Sequence, residues 1–194
     1  MSRYGAGTAL IVVDVQNDFT DPDGSLYVPG GEAIVSVVNA EIDTAIAAGA
    51  RVVYTQDWHP PSTPHFAKDG GRWPVHCVAG TAGAQMYPRL RVVGPIVRKG
   101  ISGEDGYSGF FQRDPVSGET VATCLDADLR AAGVARLVVV GLAQDVCVKD
   151  TALDGRRLGY DVTVVRAATR PVERCPGDGA RAFAELTAAG ATLE

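Results

Sequence analysis

Short apolar runs rich in β-branched residues alternate with longer helical patterns along the whole chain. The first run, 8–14, is continuous and branched, which is typical of a strand buried on both faces. Apolar residues then recur at three- and four-residue spacing from Ile34 to Ile46, which predicts an amphipathic helix that closes at Gly49. Further strands are predicted at 51–56, 95–98, 136–140, 161–165 and 191–193, and further helices at 121–133, 145–158 and 179–189. This alternation predicts a three-layer α/β fold, in which helices cover both faces of a six-stranded, mostly parallel sheet.

The length and composition of the chain favour one globular domain. With 194 residues, 46% of them hydrophobic and 21% charged, the chain has enough apolar surface for a core of its own. We therefore expect a single domain over 1–194. Two stretches, 57–92 and 99–119, follow neither a helical nor a strand period. Loops of that length inside a compact domain usually carry function.

The charge of the chain argues against two classes of partner. Eighteen lysines and arginines against 23 acidic residues give a net charge of −5, whereas nucleic acids and anionic membranes favour a basic surface. No apolar run approaches the roughly 20 residues of a membrane span. Four cysteines without regular spacing favour a reduced, cytoplasmic protein over a disulfide framework. Both a monomer and a homo-oligomer are compatible with these features.

Reactive side chains follow several of the predicted strands. Ligands of open parallel sheets bind at the carboxyl ends of the strands. Asp14, Asp57 and Lys99 each come at such an end, and Cys147 follows the 136–140 strand after a short turn. We therefore expect these carboxylates, the amine and the thiol to meet at one edge of the sheet.

Cys147 is the candidate nucleophile. Its expected place in the first turn of a helix would favour a thiolate and supply backbone N–H groups for an oxyanion. The alternative is that Cys147 is a small buried apolar residue, and Cys77 is a rival nucleophile. A cysteine nucleophile needs a proton acceptor. Because all three histidines fall within 59–76, Asp14 is the candidate base, with Lys99 beside it. Considered one at a time, Asp14 could instead cap a helix or a turn, and Lys99 could be a surface charge.

A second constellation has the spacing of a metal site. Asp57, His59, His65 and His76 form the pattern Asp-x-His-x5-His-x10-His. Imidazole and carboxylate ligands suit one divalent transition metal, namely zinc, iron or manganese. The alternative is a run of surface histidines in a loop.

Three aromatic residues stand in or beside the long loops. Phe19, Trp73 and Tyr107 would together wall a pocket for a flat aromatic ligand, although each could be local packing. The glycines of 103–109 do not have the spacing of a dinucleotide fingerprint, and there is no Gly-Lys-Ser/Thr phosphate loop. We therefore expect no nucleotide cofactor.

Taken together, these segments resemble the nicotinamidase/pyrazinamidase branch of the isochorismatase-like cysteine hydrolases. The matching segments are Ile11–Phe19, Gly24–Leu26, Asp57–Pro60, His65–Phe66, Trp73–Val78, Gly80–Ala84, Arg98–Gly100, Tyr107–Phe110 and Gly141–Val148. The resemblance implies Asp14, Lys99 and Cys147 as catalytic residues and Asp57, His59, His65 and His76 as metal ligands. It also implies Phe19, Trp73 and Tyr107 as pocket walls, backbone N–H groups near Ala143 and Cys147 as the oxyanion site, and a cis peptide between Leu142 and Ala143. The implied fold is a six-stranded parallel sheet covered on both sides by helices.

The resemblance implies a metal-containing cysteine amidohydrolase with a small aromatic amide as its substrate. It would convert nicotinamide, and related amides such as pyrazinamide, to the acid and ammonia through a thioester, a reaction of NAD salvage. Two alternatives remain at this point. Other amidohydrolases of the superfamily act on carbamoyl, ureido or maleamate-type substrates, but they commonly lack the metal cluster. A non-catalytic ligand- or metal-binding member of the fold would have no use for the reactive set Asp14, Lys99 and Cys147.

Overall fold

The centre of the fold is a six-stranded sheet in which all strands run parallel. The structure, a computed structural model, describes residues 3–194. The strands are β1 (Thr8–Val13), β2 (Arg51–Asp57), β3 (Ile96–Lys99), β4 (Phe111–Arg113), β5 (Thr120–Ala122), β6 (Arg136–Leu142), β7 (Asp161–Arg170) and β8 (Thr192–Leu193). The α-helices are α1 (Asn17–Thr20), α2 (Gly31–Ala47), α3 (Leu125–Ala131), α4 (Lys149–Arg157) and α5 (Asp178–Ala188). The sheet order is β3-β2-β1-β6-β7-β8, and β4 and β5 form a separate antiparallel hairpin.

Both faces of the sheet are covered, as the buried strand pattern predicts. Successive side chains of a strand point to opposite faces. Leu10 and Val12 of β1 therefore join one apolar core, together with α2, while Ala9, Ile11 and Val13 join a second core on the other side. That second core includes buried residues of α3, α4 and α5. The α/β class and the layered six-stranded sheet are therefore confirmed.

Several element boundaries differ from the sequence prediction. Val121 was expected in a helix but lies in β5, and α3 begins only at Leu125. Residues 99–119 were expected to be irregular, yet they contain β4. The expected helix over 145–158 is divided into a π-helical turn, Gln144–Val148, and α4. Strand β7 continues to Arg170, because its last residues pair with Gly141 and Leu142 beyond a register shift.

The carboxyl ends of β1 and β6 approach each other closely at Gly141. A side chain there would place its Cβ 2.0 Å from the carbonyl oxygen of Val13, and the backbone φ of Gly141 is +111°. Only glycine fits such an approach without displacing backbone. Asp14 follows β1 directly, and Cys147 follows β6 after a turn, so this contact places both near the same point. The peptide between Leu142 and Ala143 is cis, as the family resemblance implied.

The long stretch from 57 to 92 is tied to the rest of the fold by backbone contacts. His59 pairs with Val78, and Phe66 with Trp73, in isolated bridges. A short 3₁₀ turn, Ala67–Asp69, lies between them. These contacts fold the stretch back over the edge where β1, β2 and β3 end.

Within residues 3–194, no helix combines the length and the apolarity needed to cross a bilayer.

Candidate active site

A buried ion pair joins the ends of β1 and β3. The Nζ of Lys99 donates a hydrogen bond to Oδ2 of Asp14 at 2.7 Å, and neither side chain is exposed to solvent. The other carboxylate oxygen of Asp14 accepts a hydrogen bond of 2.7 Å from the hydroxyl of Thr55 on β2. The structure thus brings together the candidate base and the candidate amine, each from the end of a different strand.

The same lysine also bonds to the metal-site candidate. Its amine donates to the carboxylate of Asp57 and to the carbonyl oxygen of Gly106. Burial alone would lower the pKa of Lys99, but Asp14 and Asp57 raise it well above its usual value. Burial raises the pKa of Asp14 to about 6, against the opposing effect of Lys99. For Asp57, the charge of Lys99 and the neighbouring histidines outweigh burial and lower the pKa.

Cys147 lies in the first turn of a helical segment, as predicted, and this turn is π-helical. It is buried, and its Sγ lies within 4.8 Å of carboxylate oxygens of both Asp14 and Asp57. Burial, the two carboxylates and a hydrogen bond to Asp14 raise the pKa of the thiol well above its usual value, although Lys99 opposes them. These effects favour a thiol with a base beside it, whereas the helix turn and Lys99 favour the thiolate.

Cys77, the rival nucleophile, is also buried, but it belongs to the loop that carries His76. Its N–H donates to Oδ2 of Asp18 at 2.7 Å, and its carbonyl oxygen accepts the N–H of His59 at 3.0 Å. The walls of the pocket described below include Cys147 and not Cys77.

The three histidines converge, as their spacing predicts. Each of His59, His65 and His76 offers a ring nitrogen, and these nitrogens lie within 4.8 Å of one another. The Oδ2 of Asp57 is 3.7 Å from Nε2 of His59 and 3.9 Å from Nε2 of His76. All four side chains are buried. Gly100 makes this packing possible, because a side chain there would place its Cβ 2.4 Å from the His59 ring.

The donor set fits a divalent metal ion. Both ring nitrogens of His59 are buried, and neither has a hydrogen-bond partner within residues 3–194. Burying such groups unpaired is costly, and a coordinated cation would remove that cost for one of the two nitrogens. Burial lowers the pKa of His65 to about 3 and that of His76 to about 4. Both are therefore neutral at pH 7, the form that binds metals.

A small pocket opens between the two constellations. It has a free volume of about 350 Å³ including its mouth, and its walls contain both Cys147 and the metal-site residues Asp57, His65 and His76. The three predicted aromatic residues also line it. Further aliphatic walls, which the sequence reasoning did not identify, are Leu26, Val28, Val146 and Val172.

The aromatic walls contact the histidines directly. The Phe19 ring centroid is 5.4 Å from that of His76, and the Tyr107 centroid is 5.4 Å from that of His65. The indole Nε1 of Trp73 donates to the Tyr107 hydroxyl at 2.8 Å, which joins the two long loops across the pocket. Ala143 and Cys147, the predicted oxyanion residues, also line this pocket.

Sequence reasoning missed three supporting residues. Thr55 holds Asp14, and the Gln16 amide is buried between chain segments, bonding to both the N–H and the carbonyl oxygen of Asp57 at 2.8 Å. The carboxylate of Asp18 holds the N–H groups of Cys77 and Ser25. Only one signal was available for these residues: Gln16 and Asp18 stand within four residues of Asp14, and Thr55 lies two residues before Asp57 on the same side of β2.

The model of the Isochorismatase domain family matches residues 8–193 of the chain. The chain belongs to the isochorismatase family. Among relatives in this family, the Escherichia coli (strain K12) nicotinamidase is 40% identical over 203 residues, covering 95% of this chain and 93% of the relative.

Solved structures of other isochorismatase-family proteins have the same fold. A structure of PnC1 from L. infantum in complex with nicotinate has a TM-score of 0.88 and 37% identity, covering 97% of this chain and 92% of the other. The pyrazinamidase of Pyrococcus horikoshii in complex with zinc has a TM-score of 0.85 and 38% identity, covering 97% of this chain and 98% of the other. The family resemblance inferred from the sequence motifs is confirmed.

Proposed function

We propose that this isochorismatase-family protein is a cysteine amidohydrolase that converts nicotinamide, and pyrazinamide-like aromatic amides, to the acid and ammonia. One observation carries the proposal: Cys147 and the metal-site residues Asp57, His65 and His76 line one aromatic-walled pocket, and Sγ of Cys147 lies within 4.8 Å of a carboxylate oxygen of Asp14, which is paired with Lys99. The likeness to the E. coli nicotinamidase supports this substrate class. We also place the activity in a single domain over 1–194 of a cytoplasmic protein, in NAD salvage.

The first half of the reaction transfers the acyl group to Cys147. Asp14 accepts the thiol proton as Sγ attacks the amide carbon, because the pKa of the thiol is raised and the Asp14 carboxylate, which is not among the assigned metal ligands, lies within 4.8 Å of it. Backbone N–H groups of Ala143 and Cys147 stabilise the oxyanion, since they are fixed donors on the pocket wall. The proton on Asp14 then passes to the departing ammonia, which leaves a thioester.

The second half returns the enzyme to its starting state. Asp14, again a carboxylate, removes a proton from a water molecule that attacks the thioester, and the proton returns to Sγ as the acid leaves. Lys99 keeps Asp14 ionised between these steps, because its buried amine lies 2.7 Å from Oδ2.

We assign Asp57, His59, His65 and His76 as ligands of one divalent transition metal ion. Zinc, iron and manganese all suit this donor set. A bound ion would supply a Lewis-acid position beside the pocket, for which a pyridine nitrogen is a suitable ligand. The zinc complex of the P. horikoshii pyrazinamidase supports the assignment.

Ammonia release from nicotinamide by the purified, metal-loaded protein tests the proposal. Nicotinamide should be hydrolysed at a specificity constant far above those of N-carbamoyl and ureido substrates. A preference for either of the latter would replace nicotinamidase with another amidohydrolase. If none of the three substrates is hydrolysed, the protein is a non-catalytic member of the fold.

Benzamide gives a second test, directed at recognition. It has the shape of nicotinamide but no ring nitrogen, so it keeps the contacts with Phe19, Trp73 and Tyr107 and lacks a group for the metal. We expect kcat/KM for benzamide to be lower by on the order of a hundredfold, the loss typical of an unpaired polar partner in a buried site. Equal specificity constants would contradict recognition through the metal and leave the cysteine chemistry intact.

A further inference from the structure

An outer cleft adjoins the catalytic pocket. The two share Trp73, Tyr107, Val146 and Val172 as walls, and the outer cleft continues to Arg72 and Arg174. A molecule that leaves the pocket past these shared walls therefore passes the two arginines.

The formal charges of the outer cleft balance, but most of them already have partners. Both carboxylate oxygens of Asp145 accept backbone N–H groups at 2.9 Å. Glu185 pairs with Lys149 at 3.1 Å, and Asp178 pairs with Arg181 at 2.5 Å. The charges of these groups are therefore largely compensated within the cleft.

Arg72 and Arg174, in contrast, have no compensating partner among the residues that the structure describes. Within residues 3–194, neither guanidinium has an ion pair or a side-chain hydrogen bond, and both are exposed. The one further carboxylate of the cleft, Asp150, lies 3.9 Å from Lys149. Two guanidinium groups beside the shared walls thus remain free to bind an anion.

Arg174 is held at this place by its surroundings. Its guanidinium carbon lies 4.7 Å from the centre of the Trp73 ring, a cation–π contact with a pocket wall. The preceding residues Val172 and Glu173 are bonded through their N–H groups to Asp145, in the same turn as Cys147. The five N–H donors of a guanidinium suit a carboxylate, which they bind in a bidentate manner.

We propose that Arg174, with Arg72 in the same cleft, forms a carboxylate subsite that binds the acid product at the mouth of the pocket. The inference rests on the proposed function, because hydrolysis converts a neutral amide into an anion at neutral pH. The subsite distinguishes product from substrate by charge alone. It therefore strengthens inhibition by the acid relative to binding of the amide.

Calorimetric titration of the metal-loaded Cys147→Ala protein tests the subsite without turnover. The probes are nicotinate and nicotinamide, and the readout is the ratio of their dissociation constants. Arg174→Gln should raise the Kd of nicotinate relative to that of nicotinamide roughly fivefold, as expected for one exposed ion pair. Arg174→Lys, which keeps the charge but not the bidentate geometry, should recover part of the preference. Raising the salt concentration should weaken nicotinate binding more than nicotinamide binding.

Arg51→Gln is the matched control, since it removes the same charge from the exposed amino end of β2, far from the cleft. An unchanged ratio in Arg174→Gln, or an equal change in Arg51→Gln, would overturn the subsite. Equal losses in Arg174→Gln and Arg174→Lys would also overturn it, because packing on Trp73 would then be the cause. Ammonia release by the unaltered protein is measured in parallel. Hydrolysis of nicotinamide together with an unchanged ratio refutes the subsite alone, whereas a changed ratio without hydrolysis refutes the proposed function alone.

Discussion

The chemistry of Cys147 depends on one residue-scale fact, the protonation of its thiol. The group sits in a buried site beside two carboxylates, and its pKa is raised well above the usual value. The thiolate is the nucleophile in cysteine chemistry. The Cys147 thiolate therefore forms only while Asp14 holds the thiol proton, so Cys147 and Asp14 act as a unit.

Removing that thiol should abolish turnover. In Cys147→Ala we expect kcat to fall by on the order of 10⁴-fold or more, because covalent catalysis is lost. Metal content should be retained, since the thiol is not among the four proposed ligands. Mass spectrometry of trapped protein should place the acyl group on the Cys147 peptide.

The matched control is Cys77→Ala, which removes the other buried thiol. It should keep its turnover, because Cys77 does not line the pocket. An acyl group found on Cys77, or an active Cys147→Ala protein, would reverse the assignment.

The pKa of Asp14 predicts the acid side of the pH profile. Burial raises this pKa to about 6. The ionised carboxylate is the active form, so it is present above this pH and lost as the pH falls through it. We expect kcat/KM to fall about tenfold per pH unit below pH 6 and to level off above it.

His65 and His76 do not cause the same fall in kcat/KM, because burial lowers their pKa values to about 3 and about 4. Metal content measured across the same pH range separates the two causes. A flat profile down to pH 5, or a fall that tracks loss of metal, would contradict Asp14 as the base.

At the scale of elements, the strand-end rule explains how much of the site could be predicted. Asp14, Asp57 and Lys99 stand at or directly after the ends of parallel strands, so the rule brings them together without any knowledge of side chains. The shared bonding of Lys99 to both carboxylates could not be predicted, because it depends on side-chain directions across three strands.

Other elements escaped prediction for physical reasons. The three-residue strands β4 and β5 are mostly exposed and carry no apolar alternation, so their pairing is invisible in the pattern. The π-helical turn runs directly into α4, so the sequence shows no boundary between them. Gln16 and Thr55 are buried polar residues, and only the position of their partners shows what they do.

Because β1 and β6 approach each other closely at Gly141, we expect an alanine there to destabilise the protein much more than an alanine at Gly159. Gly141→Ala combines positive φ with a backbone clash, and we expect a loss of about 4 kcal/mol of unfolding free energy. Activity should fall as well, because Asp14 and Cys147 both follow this contact. Urea denaturation measures the first effect and ammonia release the second.

Gly159→Ala is the control for backbone strain alone, because Gly159 also has positive φ, +93°, but has no atom within 4 Å of the added Cβ. We expect a loss of about 1–2 kcal/mol there, with activity retained. Equal losses at the two positions would show that the clash at Gly141 relaxes freely.

At the scale of the whole molecule, the proposed metal site joins distant parts of the chain. His59, His65 and His76 come from the stretch that folds over the sheet edge, and Asp57 comes from the sheet itself. A metal that binds the folded chain stabilises it by mass action. The site should therefore contribute to stability as well as to substrate binding.

Removing the metal with a chelator should lower the melting temperature by on the order of 10 °C. Elemental analysis before treatment should find about one first-row transition metal ion per chain. His59→Ala should lose most of this metal, and its melting temperature should then be insensitive to the chelator. A metal-free protein with full activity and an unchanged melting temperature would contradict the site.

The sharing of Lys99 between Asp14 and Asp57 also limits the order in which descendants of this chain can accept mutations. If Asp57 is lost first, the buried amine still has Asp14 as its counter-ion. If Lys99 is lost first, the buried Asp14 carboxylate has no counter-ion, a far more costly intermediate. A lineage that loses the metal site can therefore substitute Asp57 while it keeps Lys99, whereas substitution of Lys99 first would strongly destabilise the protein.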